Sequence, residues 1–387
     1  MTAETSTTSR PLPVSILAGP SGRSLVQDIA AGDDQRQLGL LATSDSGSQT
    51  SLEQLRVEPL AGHDPGQIRA QIAAIAAKES VDHLIIDCSA NTHPIAFASL
   101  FLPDGDQGNA FSQTARLSSI LFAINSKVLL DSIVNGKPAP GVTSTCILAD
   151  QIECADSVVL SGEPSDRNHV QARAVVSALN PGARILDRSP QDLPPGLLDN
   201  DRSFDFETAF AGAGWRRLMA EEPVTRRDDH GVTAFMYRAR RPFHPEKFWN
   251  VIQDPFPGVF RAKGFFWLAT RMETVGGLNI AGSECFYSPA GQWWAAHAHD
   301  HDSDHTEIPD RLKKEWAEPF GDRRQAIAFM GIDLDPASVT TQLDDCLLTE
   351  SEMKSGEQSW AALPDPFPSW SAPKHEHECD DHDCCHH

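Results

Sequence analysis

The strongest constraint in this sequence is an alternation. From Leu12 to about Asp187, short unbroken apolar runs take turns with amphipathic helical stretches. Val14 to Ala18, Leu38 to Ala42, His83 to Cys88, Ile120 to Ile124, Ser157 to Leu160 and Ala183 to Leu186 each read as a buried strand. Leu25 to Ala31, Gly66 to Lys78, Ile95 to Leu102, Lys127 to Val134, Thr145 to Cys154 and Arg167 to Leu179 read as the helices between them. Strands with no polar face must be covered on both sides, and strands joined through helices run parallel. The expected fold is α/β, a mostly parallel sheet with helices on both faces.

The pattern breaks after Ser189. Pro190, Pro194, Pro195, Gly196, Gly212, Gly214 and Pro223 mark a connector to about Asp229, with one short helix near Phe204 to Phe210. Beyond it Val232 to Ala239, Val259 to Thr270, Gly282 to Tyr287, Gln292 to Ala296 and Gln325 to Asp333 read as strands. The turn of one hairpin is expected at Ser288 to Gly291. Pro245 to Gln253 reads as a helix with proline in its first turn, and Pro336 to Leu347 as one capped by Asp335. Strands in hairpin order with a few helices imply a smaller α+β domain with an antiparallel sheet. A chain of 387 residues has room for both cores.

Charge narrows the partners. The formal net charge is −22, from 54 acidic against 32 basic residues. Nucleic acid and anionic membrane surfaces call for a basic face, so neither is expected as a partner, whereas cations are compatible. No run reaches the eighteen or so apolar residues of a membrane helix, and Met1 to Pro13 has no secretory pattern. A cytoplasmic location is the expectation. Cys88, Cys146, Cys154, Cys285 and Cys346 sit in apolar surroundings and read as reduced, buried thiols.

Cys379, Cys384 and Cys385 differ, because His375, His377, His382, His386 and His387 stand among them with interleaved acids. Thiolate and imidazole together form the ligand set of zinc, and they also suit copper(I) and, less well, nickel. No spacing matches a closed zinc finger, which favours exchangeable metal over a rigid structural site. The bland alternative is a solvated acidic segment that takes up metal incidentally. A second group is His297, His299, His301 and His305, with Asp300, Asp302 and Asp304 between them. Histidines at alternate positions share one side of an extended segment and can meet one divalent ion. The alternative there is a polar loop with scattered histidines.

Near its beginning the chain has the strand, glycine turn and helix of a nucleotide-binding domain. The turn is Gly19-Pro20-Ser21-Gly22-Arg23-Ser24. A P-loop needs four residues between its glycines, so that successive N–H groups wrap the phosphates, followed by Lys and Ser or Thr. Here two residues separate the glycines, Pro20 has no N–H, and Arg23 stands in the place of lysine. Gly22, Arg23 and Ser24 are the candidate nucleotide contacts of this degenerate turn. GTP and magnesium are not expected to bind in the ordinary way.

The second half resembles the CobW C-terminal domain of GTP-dependent zinc chaperones. The resemblance lies in Tyr237 to Trp249, Arg261 to Thr270, Gln292 to Trp294, Glu318 to Arg324 and Ala362 to Pro368. The first half is similar more loosely, through Ala115 to Leu117, Asp150 to Glu153, Leu179 to Ala183 and Phe204 to Phe206. Four departures stand out. The P-loop is shortened, and Leu41 to Ala70 has no cysteine where the family carries Cys-x-Cys-Cys. Ser161-Gly162-Glu163-Pro164 stands where the family reads guanine with Asn-Lys-x-Asp, and the switch-like Asp87 to Pro94 lacks its glycine.

Composition, patterning and the resemblance together give as expectations a disordered lead over 1–12, a degenerate P-loop NTPase-like domain over 13–200, a connector over 201–229, a smaller α+β CobW C-terminal domain over 230–370, and a metal-binding segment over 371–387. The resemblance implies zinc or related metal delivery to a client metalloprotein, and the four departures leave no catalytic residue to be named. Two other readings stay open: an active GTPase with an irregular P-loop, and a scaffold or metal buffer that forms a homo-oligomer or pairs with an intact paralogue. Phe265, Phe266, Trp267, Trp293 and Trp294 read either as a docking surface or as core.

Overall fold

A computed structural model describes residues 10–32, 35–42, 55–62, 64–88, 92–102, 111–137, 139–188, 197–198, 204–224, 230–254, 256–297 and 308–370. The apolar runs of the first half become strands β1 (Leu12–Ala18), β2 (Leu38–Ala42), β4 (His83–Asp87), β5 (Ala115–Asn125), β6 (Ser157–Ser161) and β7 (Arg184–Arg188). With β3 (Leu55–Pro59) they form one sheet in the order β3-β2-β4-β1-β5-β6-β7, every neighbouring pair parallel. β1 lies at its centre, with Val14, Ile16 and Ala18 in one core layer and Leu17 in the other. That two-sided burial is what an unbroken apolar strand requires.

The helices Thr145–Cys154 and Arg167–Leu179 fall where the pattern puts them. Ser144 and Asp166 cap them, each accepting an N–H of the first turn. β3 was not legible as a strand: Leu55-Arg-Val-Glu-Pro59 is short, charged and closed by proline, which suits the sheet edge it occupies.

The second sheet is antiparallel and contains β8 (Val232–Ala239), β9 (Val259–Phe266), β10 (Thr274–Ala281), β11 (Glu284–Gln292) and β12 (Gln325–Ile332). Its order is β11-β10-β9-β12-β8. The hairpin differs from expectation. Its turn is Gly282-Ser283, with Gly282 at φ 57°, and Ser288 to Gly291 lies inside β11. β11 is the edge strand, so Pro289 is accommodated beside the register shift between Thr274 and Gly276. Beyond β11 the chain forms the helix Trp294–His297 instead of a further strand.

Phe266, Trp267 and Trp293 are buried, and Phe265 and Trp294 are half-buried. Phe243 stacks on Phe248 with ring centroids 4.2 Å apart, and Phe248 meets Phe266 at 5.0 Å. Most of the aromatic run is therefore core. The connector holds two short helices, Phe206–Ala211 and Gly214–Met219. Gly214 presses against the helix Arg167–Leu179 so closely that a Cβ there would lie 1.9 Å from the Ala178 carbonyl oxygen. Among the described residues no helix is long and apolar enough to cross a membrane.

Candidate functional site

All seven strands of the parallel sheet end on one edge, where ligands of such sheets bind. The Gly19 turn follows β1 there, with Asp87 closing β4, Asn125 closing β5, Ser161 closing β6 and Arg188 closing β7. Gly19 adopts φ 92°, and a Cβ on it would lie 2.4 Å from the Ala123 carbonyl oxygen. The turn is thus folded down onto β5. Ser21 donates its N–H to that same oxygen at 3.0 Å, and Gly22 donates to Gly19 O at 3.1 Å. A phosphate cradle works through N–H groups directed at the ligand. Here two are used within the protein, and Pro20 supplies none.

The side chains of the turn are engaged as well. Arg23 donates to Asp87 Oδ2 through Nε at 3.4 Å and Nη2 at 3.3 Å. Burial raises the Asp87 carboxyl above its ordinary value, and the Arg23 charge offsets only part of that. Ser24 Oγ accepts from Arg188 Nη2 at 2.6 Å, while Arg188 Nε donates to Asp28 at 2.6 Å. The candidate residues Gly22, Arg23 and Ser24 do come together, but each is held by the protein itself.

The neighbouring corner, where the resemblance puts guanine recognition, is filled by a hydrogen-bonded chain. Ser126 Oγ lies 2.8 Å from His169 Nδ1, and His169 Nε2 lies 2.7 Å from Asp187 Oδ1. Arg173 donates to the same carboxylate oxygen at 2.6 Å. Burial raises the Asp187 carboxyl, but hydrogen bonds from His169 and Arg173 outweigh it and hold the group below its ordinary value. Serine, histidine and aspartate in line have the residue types of a nucleophilic triad. Ser126 is buried, however, and a Cβ on Gly162 would lie 3.2 Å from its Oγ and 3.0 Å from His169 Nδ1. The hydroxyl is thus covered by Gly162, and it also lies within donating distance of Ser161 O at 3.2 Å.

Asp150 and Glu153 have a role that sequence reasoning missed. Arg261 is fully buried and donates to Asp150 at 2.7 Å and to Glu153 at 2.6 Å. Lys263 Nζ meets Asp150 at 2.5 Å and Glu153 at 3.1 Å. Burial raises the Asp150 carboxyl, but the Arg261 and Lys263 charges hold it below its ordinary value. Glu284 adds a further tie, accepting from Ser144 Oγ at 2.7 Å and Cys146 N–H at 3.0 Å at the start of the same helix. The signal was available. Asp150 and Glu153 are three apart on a helix, and Arg261 and Lys263 two apart on a strand, so each pair presents one face.

His299, His301, His305, His375, His377, Cys379, His382, Cys384, Cys385, His386 and His387 lie outside the described residues. Of His297 the backbone alone is described, at the end of the helix Trp294–His297. No group of three or more His, Cys, Asp or Glu among the described residues could hold a metal ion. The described thiols are poor ligands. Burial pushes Cys146 and Cys346 up to about 12 and Cys285 to about 11, and Cys88 and Cys154 higher still. Metal binds the thiolate, and burial disfavours that form at all five in the metal-free chain. Four of the five thiols are buried, as expected, and Cys285 is half-buried.

The sequence model of the cobalamin synthesis protein cobW C-terminal domain matches residues 232–347. The chain is 28% identical over 315 residues to zinc-regulated GTPase metalloprotein activator 1 of Dictyostelium discoideum, covering 77% of this chain and 66% of that protein. It is 34% identical over 243 residues to a zinc chaperone of Mycobacterium tuberculosis, covering 61% of this chain and 57% of that one. The chain thus spans under two thirds of the length of either relative. A structure of the Zn(II)-bound YjiA GTPase from E. coli aligns with 88% of this chain and 100% of its own, at 12% identity and a TM-score of 0.41.

Proposed function

Residues 232–347 form a CobW C-terminal domain, and from that premise we propose that this chain binds zinc or a related transition metal and delivers it to a client metalloprotein. In this reading the metal ligands come from the segment His375 to His387 and from the histidines at 297, 299, 301 and 305. The observation that carries it is the division among the cysteines. Among the described residues no cluster of metal-ligating side chains forms around the five thiols, and burial disfavours their thiolates, which leaves Cys379, Cys384 and Cys385 as the candidate thiolate ligands. The relatives named for zinc support the choice of metal. A cytoplasmic location and a client partner belong to the same proposal, as does the domain division at residues 200, 230 and 370.

The nucleotide corner is degenerate in this proposal, and GTP with magnesium is not part of the working cycle. The support is local: Arg23 is paired with Asp87, Ser24 with Arg188, and the Ser21 N–H with Ala123. The test of the metal reading is zinc competition against a chromophoric chelator for the intact chain and for a variant with Cys379→Ser, Cys384→Ser and Cys385→Ser. The tightest site disappears in the variant while the circular dichroism spectrum is unchanged. Affinity in the intact chain falls as pH drops, because the ligands must lose protons to bind. A variant that keeps full affinity and stoichiometry contradicts the proposal.

A further inference from the structure

On the opposite edge of the parallel sheet, where β1, β4 and β5 begin, lies a hollow of about 700 Å3. Its charged lining is Arg10, Arg36, Glu79, Asp82, His83 and Arg116. Arg36 and Arg116 are half-buried, whereas Arg10, Glu79 and Asp82 are exposed. Asp82 is already committed, accepting the Gln37 N–H at 2.8 Å. Arg36 and Arg116 are therefore less exposed than the carboxylates, whereas Arg10 lies at the rim with them.

His83 closes the inner end. It is buried, and its Nε2 lies 2.9 Å from Ser15 Oγ, which in turn lies 2.6 Å from Ser119 Oγ. This polar chain runs into the middle of an otherwise apolar sheet, since Ser15 and Ser119 are both buried. Burial first, then the charges of Arg36 and Arg116, bring His83 down to about 3, so the ring is neutral at physiological pH. The same two guanidiniums that oppose a proton on His83 place positive charge beside it, within a chain of net charge −22.

We infer that this hollow binds a small polyanion, a molecule with two or more carboxylate or phosphoryl groups, gripped by Arg36 and Arg116 beside a neutral His83. Guanidinium groups match both anion types with paired hydrogen bonds, and the volume falls within the range of small-ligand pockets. The rim selects for size. Glu79 and Asp82 repel an extended polyanion lying across the surface, while a compact one passes below them to the arginines. The site is separate from the Gly19 turn, because the two lie at opposite ends of β1.

Calorimetry of the full chain with inorganic phosphate, pyrophosphate and citrate, at fixed ionic strength, tests this. Saturable one-site binding of pyrophosphate or citrate is expected. Arg36→Gln with Arg116→Gln should weaken it at least about tenfold, while Arg23→Gln leaves it unchanged. Absence of saturable binding by all three probes overturns the inference, as does equal binding by the double variant or loss of binding in Arg23→Gln alone. Should the double variant not fold, backbone amide shifts in the unaltered protein decide. Pyrophosphate-dependent shifts at Asp82, His83 and Arg116 support the site, and shifts confined to Gly22 and Arg23 refute it.

Discussion

Asp156 is a carboxylate that the fold works against. It follows the helix Thr145–Cys154, accepts the Ile120 N–H at 3.0 Å, and is raised from an ordinary 3.8 to about 6. Burial is the cause, and the hydrogen bond from Ile120 only partly offsets it. An acid with a raised folded value holds its proton in the folded chain while the unfolded chain has already lost it. Stability therefore declines as pH rises from about 4 through about 6, and stays lowered above that window. Asp156→Asn keeps an acceptor for Ile120 and removes the charge. Its stability relative to the unaltered chain should grow by roughly 1 to 3 kcal/mol between pH 4 and pH 7 in urea unfolding. Parallel stability curves across that range would sink the assignment. Nothing in the sequence marks this residue, since its environment comes from a neighbouring strand thirty-six positions away.

Between elements, the governing feature is the tie from the helix Thr145–Cys154 to β9. Arg261 has no exposed side-chain surface and two carboxylate partners, so removing it leaves Asp150 and Glu153 in a desolvated site with Lys263 to balance both charges. Arg261→Met should cost about 3 to 5 kcal/mol, far more than a surface pair. Adding Asp150→Asn and Glu153→Gln should recover part of that loss, which a simple packing defect would not allow. A second check is acid sensitivity. The folded value of Asp150 is depressed, so its contribution is present above the ordinary carboxylate range and is lost as pH falls through the folded value. Asp150→Asn should lack that acid-side loss. An Arg261→Met chain as stable as the original would show that the tie contributes nothing net.

The elements themselves differed in how legible they were. Apolar runs such as Leu38–Ala42 and the capped helices could be read directly, because periodicity and cap chemistry are local. β10 was missed because Gly276 and Gly277 interrupt its pattern, and Pro289 in β11 imitated a turn. Both are tolerated for reasons of sheet position: Gly276 makes room for the Phe266 ring, and Pro289 lies on an edge. The turn at Gly19 was visibly too short for a P-loop. Its engagement by Ala123, Asp87 and Arg188 was not visible, since those partners come from three other strands or their ends.

At the scale of the whole molecule, two separate sheets are joined through buried charge, and of the two groups proposed to bind metal one lies between β11 and β12 and the other follows both sheets in sequence. The parallel sheet carries a strand, glycine turn and helix at β1, and the turn's side chains are hydrogen-bonded within the protein. The most direct measurement is a zinc titration of the full chain and of a chain truncated after Pro373, each with and without GTP and magnesium. The account predicts tight zinc binding in the full chain, its loss on truncation, and no change in affinity or stoichiometry with GTP in either. Equal zinc binding by the two chains, or zinc affinity that depends on GTP, would contradict it.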